Sequence, residues 1–201
     1  MTQAATLAQM GNTNQTFRNR IINGAMVIDQ RNAGASVTAT GNAYTLDRWA
    51  YYVTQSSKMT IQQNAGSVTP PAGYKNYLGV TSSSAYSVIS TDFFEIYQQI
   101  EGYNVADLDW GLTTAKSVTL SFWVRSSLTG VFGGFLTNSA SNRAYPFSYT
   151  INSANTWQQI SVTIAGDTTG TWVTNNSSGL RVDWCFGAGS TFVTTANAWA
   201  S

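Results

Sequence analysis

The sequence predicts an all-β domain, an antiparallel sandwich or barrel of many short strands. Three observations carry that expectation. Apolar and polar residues alternate over short runs, turn-forming residues separate those runs, and no stretch keeps helical spacing beyond about three turns. The clearest run is residues 117–125. Val118, Leu120, Phe122 and Val124 fall on one face there, and Ser117, Thr119, Ser121, Trp123 and Arg125 on the other. A period of two belongs to a strand with one buried and one wetter face, and Val, Thr, Phe and Trp suit a pleated surface. This run is expected to be a central strand whose apolar face the other strands cover.

Residues 1–20 read as a short N-terminal arm for anchoring or assembly, with few large side chains and a polar Gly11-Asn12-Thr13-Asn14-Gln15 loop. Such an arm buries little surface by itself and is expected to dock on a neighbour. The domain proper spans residues 21–201. Asn23-Gly24 marks a tight turn. Residues 44–53 read as one strand, with Trp49, Tyr51 and Val53 on one face and Arg48, Ala50 and Tyr52 on the other. Residues 58–63 read as a short strand carrying Met59 and Ile61, and Pro70-Pro71-Ala72-Gly73 breaks the chain before a strand at 77–81.

Residues 93–101 fit a short helix or a strand, and their aromatic and β-branched content favours the strand. Residues 102–111 then form a long loop with room for one helical turn. Residues 131–136 and 145–151 read as a pair joined through Asn138-Ser139-Ala140-Ser141-Asn142. Residues 157–164 put Ile160, Val162 and Ile164 inward, and residues 180–186 place Leu180, Val182, Trp184 and Phe186 on one apolar face. From Phe192 onward the chain reads as a tail without a closing strand. In a jelly roll the last strand would then be missing, or supplied by another chain.

Composition narrows the function classes. Of 201 residues, 43% are hydrophobic, enough for a real core, but only 9% are charged. An average soluble domain has roughly 25% charged residues. Neutral polar side chains fill the gap, a pattern commoner in secreted or assembled β proteins than in cytosolic enzymes. The net charge is +1 with no basic run, which argues against nucleic-acid binding by phosphate neutralisation. The single cysteine, Cys185, lies between Trp184 and Phe186 and reads as a buried thiol. No apolar run has transmembrane length, and the N-terminus lacks the basic flank and apolar core of a secretory signal. The expected product is made in a cytoplasm and delivered by assembly or lysis.

Several segments taken together resemble a known family. They are Asn19-Arg20-Ile21-Ile22-Asn23-Gly24-Ala25-Met26 with Asp29-Gln30-Arg31, Ala43-Tyr44-Thr45-Leu46-Asp47-Arg48-Trp49, Gln99-Ile100-Glu101-Gly102, Leu120-Ser121-Phe122-Trp123-Val124-Arg125-Ser126, Asn155-Thr156-Trp157 and Gly166-Asp167-Thr168-Thr169-Gly170-Thr171-Trp172. In that order the chain resembles bacteriophage tail fibre or minor structural proteins of the type found in phages of cyanobacteria and marine hosts. The resemblance covers about residues 18–199. It implies a carbohydrate-binding-like jelly-roll sandwich on the virion, a homotrimer, and no agreed catalytic residues. Family members continue into further β structure and an acidic closing strand, which this sequence does not contain after Ser201.

The chain contains no histidine, which removes Ser-His-Asp and Cys-His machinery and histidine metal sites. A carboxylate pair roughly 5–9.5 Å apart would still suit glycoside hydrolysis. Asp107 and Asp109 flank Leu108, with Glu95 and Glu101 on the preceding strand; each also fits a surface or loop-capping role. Asp107 and Asp109 match no calcium loop, which would need about six to eight oxygens. No cofactor or metal is expected. Aromatic rings beside amides and carboxylates suit sugars, because a pyranose has an apolar C–H face and a polar rim. Tyr103 with Asn104, and Trp110 with Asp107 and Asp109, have that company, and Trp123 projects from the polar face of its strand. Packing in the core or at a subunit contact is the competing reading for each ring.

The sequence therefore leads to a jelly-roll sandwich that works by contact and is not an enzyme. The expected role is a virion tail fibre or receptor-binding component, trimeric, touching host glycans through Tyr103, Asn104, Asp107, Asp109, Trp110 and Trp123. Residues 1–20 would bind other virion proteins. A capsid-surface cement or head-fibre protein is the alternative, and a polysaccharide-degrading enzyme the third reading.

Overall fold

The structure, a computed structural model, describes residues 18–201. The arm expected over residues 1–20 lies outside the described residues as far as residue 17. Among the described residues the regular structure is eleven strands and four short 3-10 turns. In chain order the strands are β1 (Val37–Thr38), β2 (Asn42–Tyr44), β3 (Ala50–Val53), β4 (Met59–Gln63), β5 (Leu78–Ser82), β6 (Phe93–Glu101), β7 (Val118–Val124), β8 (Gly130–Thr137), β9 (Ala144–Ile151), β10 (Gln158–Ile164) and β11 (Ser178–Ala188).

The fold is an antiparallel β-sandwich. One layer is a six-stranded sheet ordered β2-β3-β6-β11-β8-β9. The other is divided between a three-stranded sheet, β1-β4-β5, and the pair β10-β7. The apolar rows expected from alternation line the space between. Met59 and Ile61 meet Tyr51, Val53, Phe94 and Ile96 under the three-stranded sheet. Leu120, Ile164, Leu180, Val182 and Phe147 fill the space under the pair. Trp184 joins both clusters, with its ring 5.5 Å from Trp49 and 5.5 Å from Phe122. Trp157 links the two halves of the divided layer. Its indole N–H donates to the Thr69 carbonyl at 2.9 Å, and its ring meets Tyr77 edge-on at 5.5 Å.

Three expectations need correction. First, β7 pairs only with β10, so it is not the central strand. The central strands are β6 and β11. Their side chains are buried toward both faces of the sheet, so their sequences alternate less cleanly than that of a strand half-open to solvent. Second, residues 44–53 are a hairpin, β2 and β3. The Thr45 N–H donates to the Trp49 carbonyl at 2.9 Å, the Trp49 N–H to the Leu46 carbonyl at 3.0 Å, and Arg48 adopts φ +74° to close the turn. Third, Phe186 is 45% exposed, because the register of β11 slips between Cys185 and Gly187 and turns that side chain out of the apolar row. The tail, expected to lack a closing strand, has none after β11 and docks on the domain by single contacts. Ala200 bridges Ala144 at the edge of β9, and Trp199 packs on Trp110, Trp172 and Tyr145.

Candidate functional site

At the end of the β6–β11 pair where β6 stops and β11 begins, the chain folds into a corner. Two 3-10 turns, Gly102–Asn104 and Ala106–Leu108, follow β6 directly. The corner is tight because backbone packs on backbone. A Cβ on Gly179 would lie 2.5 Å from the Gly102 Cα and 2.8 Å from the Val173 carbonyl. Only glycine admits that approach.

The corner gathers most of the expected site residues. Arg20 makes a two-pronged ion pair with Asp107, at 2.8 and 2.7 Å, and also donates to the Asn104 carbonyl. Arg18 donates to the Asn104 side chain at 2.7 Å. The Arg20 hydrogen bond is the leading cause that holds the Asp107 carboxyl below its ordinary value. Asp109 adopts φ +56° and lies 3.2 Å from the Lys116 ammonium. Trp110 is buried at the centre of an edge-to-face cluster, 4.7 Å from Trp172 and 5.3 Å from Trp199, and donates to the Lys116 carbonyl. Tyr103 is 68% exposed on the crest of the corner. Trp123 is not part of it; it stands half-exposed on the solvent face of β7, in register with Gln159.

Two recesses flank this crest. One, of about 80 Å³, is mostly apolar, with Asp109, Trp110, Leu112 and Trp172 on its walls. The other, of about 130 Å³, is polar and lined by Tyr44, Arg48, Gln99, Glu101, Asn176 and Ser178. The left-handed turn at Arg48 aims its guanidinium at the last residues of β6. Nη2 lies 3.1 Å from the Gln99 carbonyl and 2.7 Å from Glu101 Oε1. The Asn104 amide reaches Glu101 Oε2 at 3.3 Å. Partial burial would raise the Glu101 carboxyl, but hydrogen bonds from its own backbone, Arg48 and Asn104 bring it below the usual range, so it is ionised at neutral pH. Tyr44 brings an exposed ring, and Arg31 covers one of its faces at 4.9 Å.

Sequence reasoning missed this second recess. Tyr44 and Arg48 on one hairpin, Gln99 and Asn176 come from three distant stretches of the chain, and strand register brings those stretches together. Tyr44 pairs with Ala50, Ala50 with Tyr97, Gln99 with Arg181, and Glu101 with Ser178. The one hint in the sequence was the carboxylate at the end of the strand, Glu101.

A buried acid pair lies further along the same sheet face. Glu95 and Asp183 are diagonal neighbours on β6 and β11, with 1% and 0% of their surface exposed. Arg181 seals them. Its Nε lies 2.8 Å from one Asp183 oxygen and donates to the other at 3.1 Å, its Nη2 is 3.3 Å from Glu95, and its guanidinium stacks on Tyr97 and Phe135 at 4.7 and 5.5 Å. Burial, then the charge of Glu95, push the Asp183 carboxyl well above its ordinary range; burial likewise raises Glu95. The pair therefore favours sharing one proton. Neither recess reaches it.

Among known proteins, no family model and no curated sequence matches the chain. A solved structure, the enzymatically active domain of tailspike protein 4 from bacteriophage CBA120, is similar with a TM-score of 0.47 and 14% identity, over 90% of this chain and 20% of that one. The chain spans about a fifth of the length of that structure, and a likeness at this level assigns it no activity.

Proposed function

We propose that this chain is a structural protein of a bacteriophage virion, a tail fibre or receptor-binding component that touches host surface glycans. It works by passive contact, as a homotrimer on the particle, where several weak sites add up to avidity. The observation that carries this reading is the polar recess at the corner, open at the surface and floored by the end of a rigid sheet. The domain suits a jelly-roll display platform. A catalytic role fits poorly, since glycoside hydrolysis calls on two carboxylates across the scissile bond. The recess offers Glu101 alone, and the acid pair of Glu95 and Asp183 is sealed beneath Arg181.

The test is adsorption of intact host cells by the purified full chain, with release of reducing ends from host envelope measured in parallel. Adsorption without sugar release is expected. Release abolished by Glu101→Gln would replace this reading with that of an enzyme. The anchoring of Arg18 and Arg20 onto Asn104 and Asp107 favours a second reading, capsid decoration, because it fixes where the arm of residues 1–20 joins the domain. Particles lacking residues 1–20 separate the two. Loss of capsid stability with unchanged host adsorption would sink the tail-fibre role.

A further inference from the structure

The geometry points to the Tyr44–Glu101 recess as a subsite for one neutral pyranose, selected against acidic sugars; this rests on the reading that the domain meets glycans. Three features of the recess argue for it. The first is the balance of charge. Arg48 and Glu101 are the charged residues on its walls, and they neutralise each other at 2.7 Å. An incoming carboxylate would meet the ionised Glu101 with no uncommitted cation to offset it, and like charges brought together in a half-buried site repel.

The second feature is unused hydrogen-bonding capacity. The side chains of Gln99, Asn176 and Ser178, and the Tyr44 hydroxyl, make no hydrogen bond to another described residue. An ionised carboxylate has about four lone-pair sites. Arg48, Asn104 and the backbone N–H of Glu101 itself take three of them, which leaves one for a sugar hydroxyl. Because each oxygen already has a donor, Arg48 on Oε1 and Asn104 on Oε2, the carboxylate is fixed before a ligand arrives, and that lowers the ordering cost of binding.

The third feature is the ring. Tyr44 is exposed at the rim of the recess, and Arg31 covers one face of its ring, which leaves the other face for a ligand. That side suits the apolar C–H face of a pyranose. Amides, hydroxyl and carboxylate stand around it where the polar rim of the sugar would lie.

The experiment is titration of the full chain with methyl β-glucopyranoside, methyl β-galactopyranoside and methyl glucuronide, followed by amide chemical shifts in NMR. The neutral glycosides are expected to bind and to move the signals of Gln99, Glu101 and Ser178. The glucuronide is expected to bind about tenfold more weakly. Tyr44→Ala should weaken the neutral sugars about tenfold, the size of one aromatic contact, while Tyr74→Ala, at an exposed tyrosine that does not line the recess, leaves them unchanged. Glu101→Gln frees Arg48 and should shift preference toward the glucuronide, an inversion that loss of fold would not produce. If neutral sugars bind and Tyr44→Ala has no effect, the recess is not the subsite, although the glycan reading stands. If no glycoside binds while whole cells still adsorb the chain, the pyranose assignment alone falls. If neither occurs, both fall.

Discussion

Glu95 and Asp183 show at the scale of single residues how burial turns acids into pH-dependent elements of the fold. Both carboxyls are raised by burial, and Asp183 also by the neighbouring Glu95 charge. A carboxyl whose folded value exceeds its unfolded value stabilises the fold while protonated. That contribution is present below the unfolded value and is lost as pH climbs through the raised one. Asp92 acts in the opposite direction. Burial pushes it up, but hydrogen bonds from the Tyr86 hydroxyl, the Ile89 amide, Gln55 and Thr54 outweigh that and hold it at about 2. Its contribution is lost as pH falls from the ordinary carboxylate range toward that value. Thermal unfolding should therefore show a stability maximum on the acidic side of neutrality. Asp183→Asn, which keeps the shape of the protonated acid, should flatten the decline as pH rises above the ordinary carboxylate range, while leaving in place the acid limb to which Asp92 contributes. A decline as steep as in the unaltered protein would show that the pair does not hold its proton.

At the scale of elements, the loops around the corner are stapled by one ion pair and one aromatic cluster. Arg143, at the tip of the β8–β9 hairpin, grips Asp167 through two bonds of 2.8 Å, and Asp167 is only 2% exposed. Arg143→Ala would leave that carboxylate buried without a cation, with only the Thr169 amide and hydroxyl donating to it, at a cost of about 3–5 kcal/mol read from the denaturant midpoint. Arg143→Ala together with Asp167→Ala should cost less than Arg143→Ala by itself, because the stranded charge is gone; a larger cost would refute the argument. Trp110→Ala removes the centre of the three-tryptophan cluster and should cost ~3–5 kcal/mol by the same measurement. Much of this architecture was legible in the sequence. The rows of β4, β7, β10 and most of β11 follow from alternation alone, as does the pairing of β8 with β9 from two apolar runs around an Asn-Ser loop. The β2–β3 turn was not legible, because Arg48 closes it in a left-handed conformation uncommon for a residue with a Cβ. The aromatic reading failed at Trp110 for a related reason. A ring that follows two aspartates looks solvent-facing in sequence, yet Lys116 and Arg20 occupy those aspartates and the ring turns inward. The polar recess was invisible because strand register, which assembles it, depends on partners far away in the chain.

At the scale of the whole molecule, charge is distributed unevenly along the β6–β11 pair. The corner end holds Arg20, Arg48, Glu101, Asp107, Asp109 and Lys116 in ion pairs. The opposite end carries less charge: residues 82–91, 126–133 and 186–193 contain none, with Lys58 over the Tyr86 ring at 5.0 Å and the buried Asp92 beside Ile89 as its charged neighbours. Val88, Ile89, Val131, Phe186, Phe192 and Val193 are all exposed there. Backbone bonds from Gly189 to Asp92 and from Thr191 to Ser90 lay the end of β11 against residues 88–92, and the Phe192 ring rests on Phe93 at 4.9 Å. Apolar surface of this kind is unusual on a monomer. An apolar patch with so little charge can also face its own rotated copy with few opposing like charges, as closed homo-oligomers require. If the chain assembles as the proposed homotrimer, contact through this end would leave the recesses at the far end of the sheet directed outward, which is what multivalent contact needs. Sedimentation velocity on the full chain should then give the mass of an oligomer, and Ile89→Asp with Phe192→Asp should give a folded monomer, since exposed substitutions seldom cost more than about 0.5 kcal/mol of stability. Retention of the oligomer by the double variant would move the contact away from this end, and a monomeric unaltered chain would remove the trimer. In the monomeric variant each recess should keep its affinity for a single sugar while adsorption to whole cells falls steeply, because avidity depends on the number of linked copies and the subsite on Tyr44 and Glu101 alone.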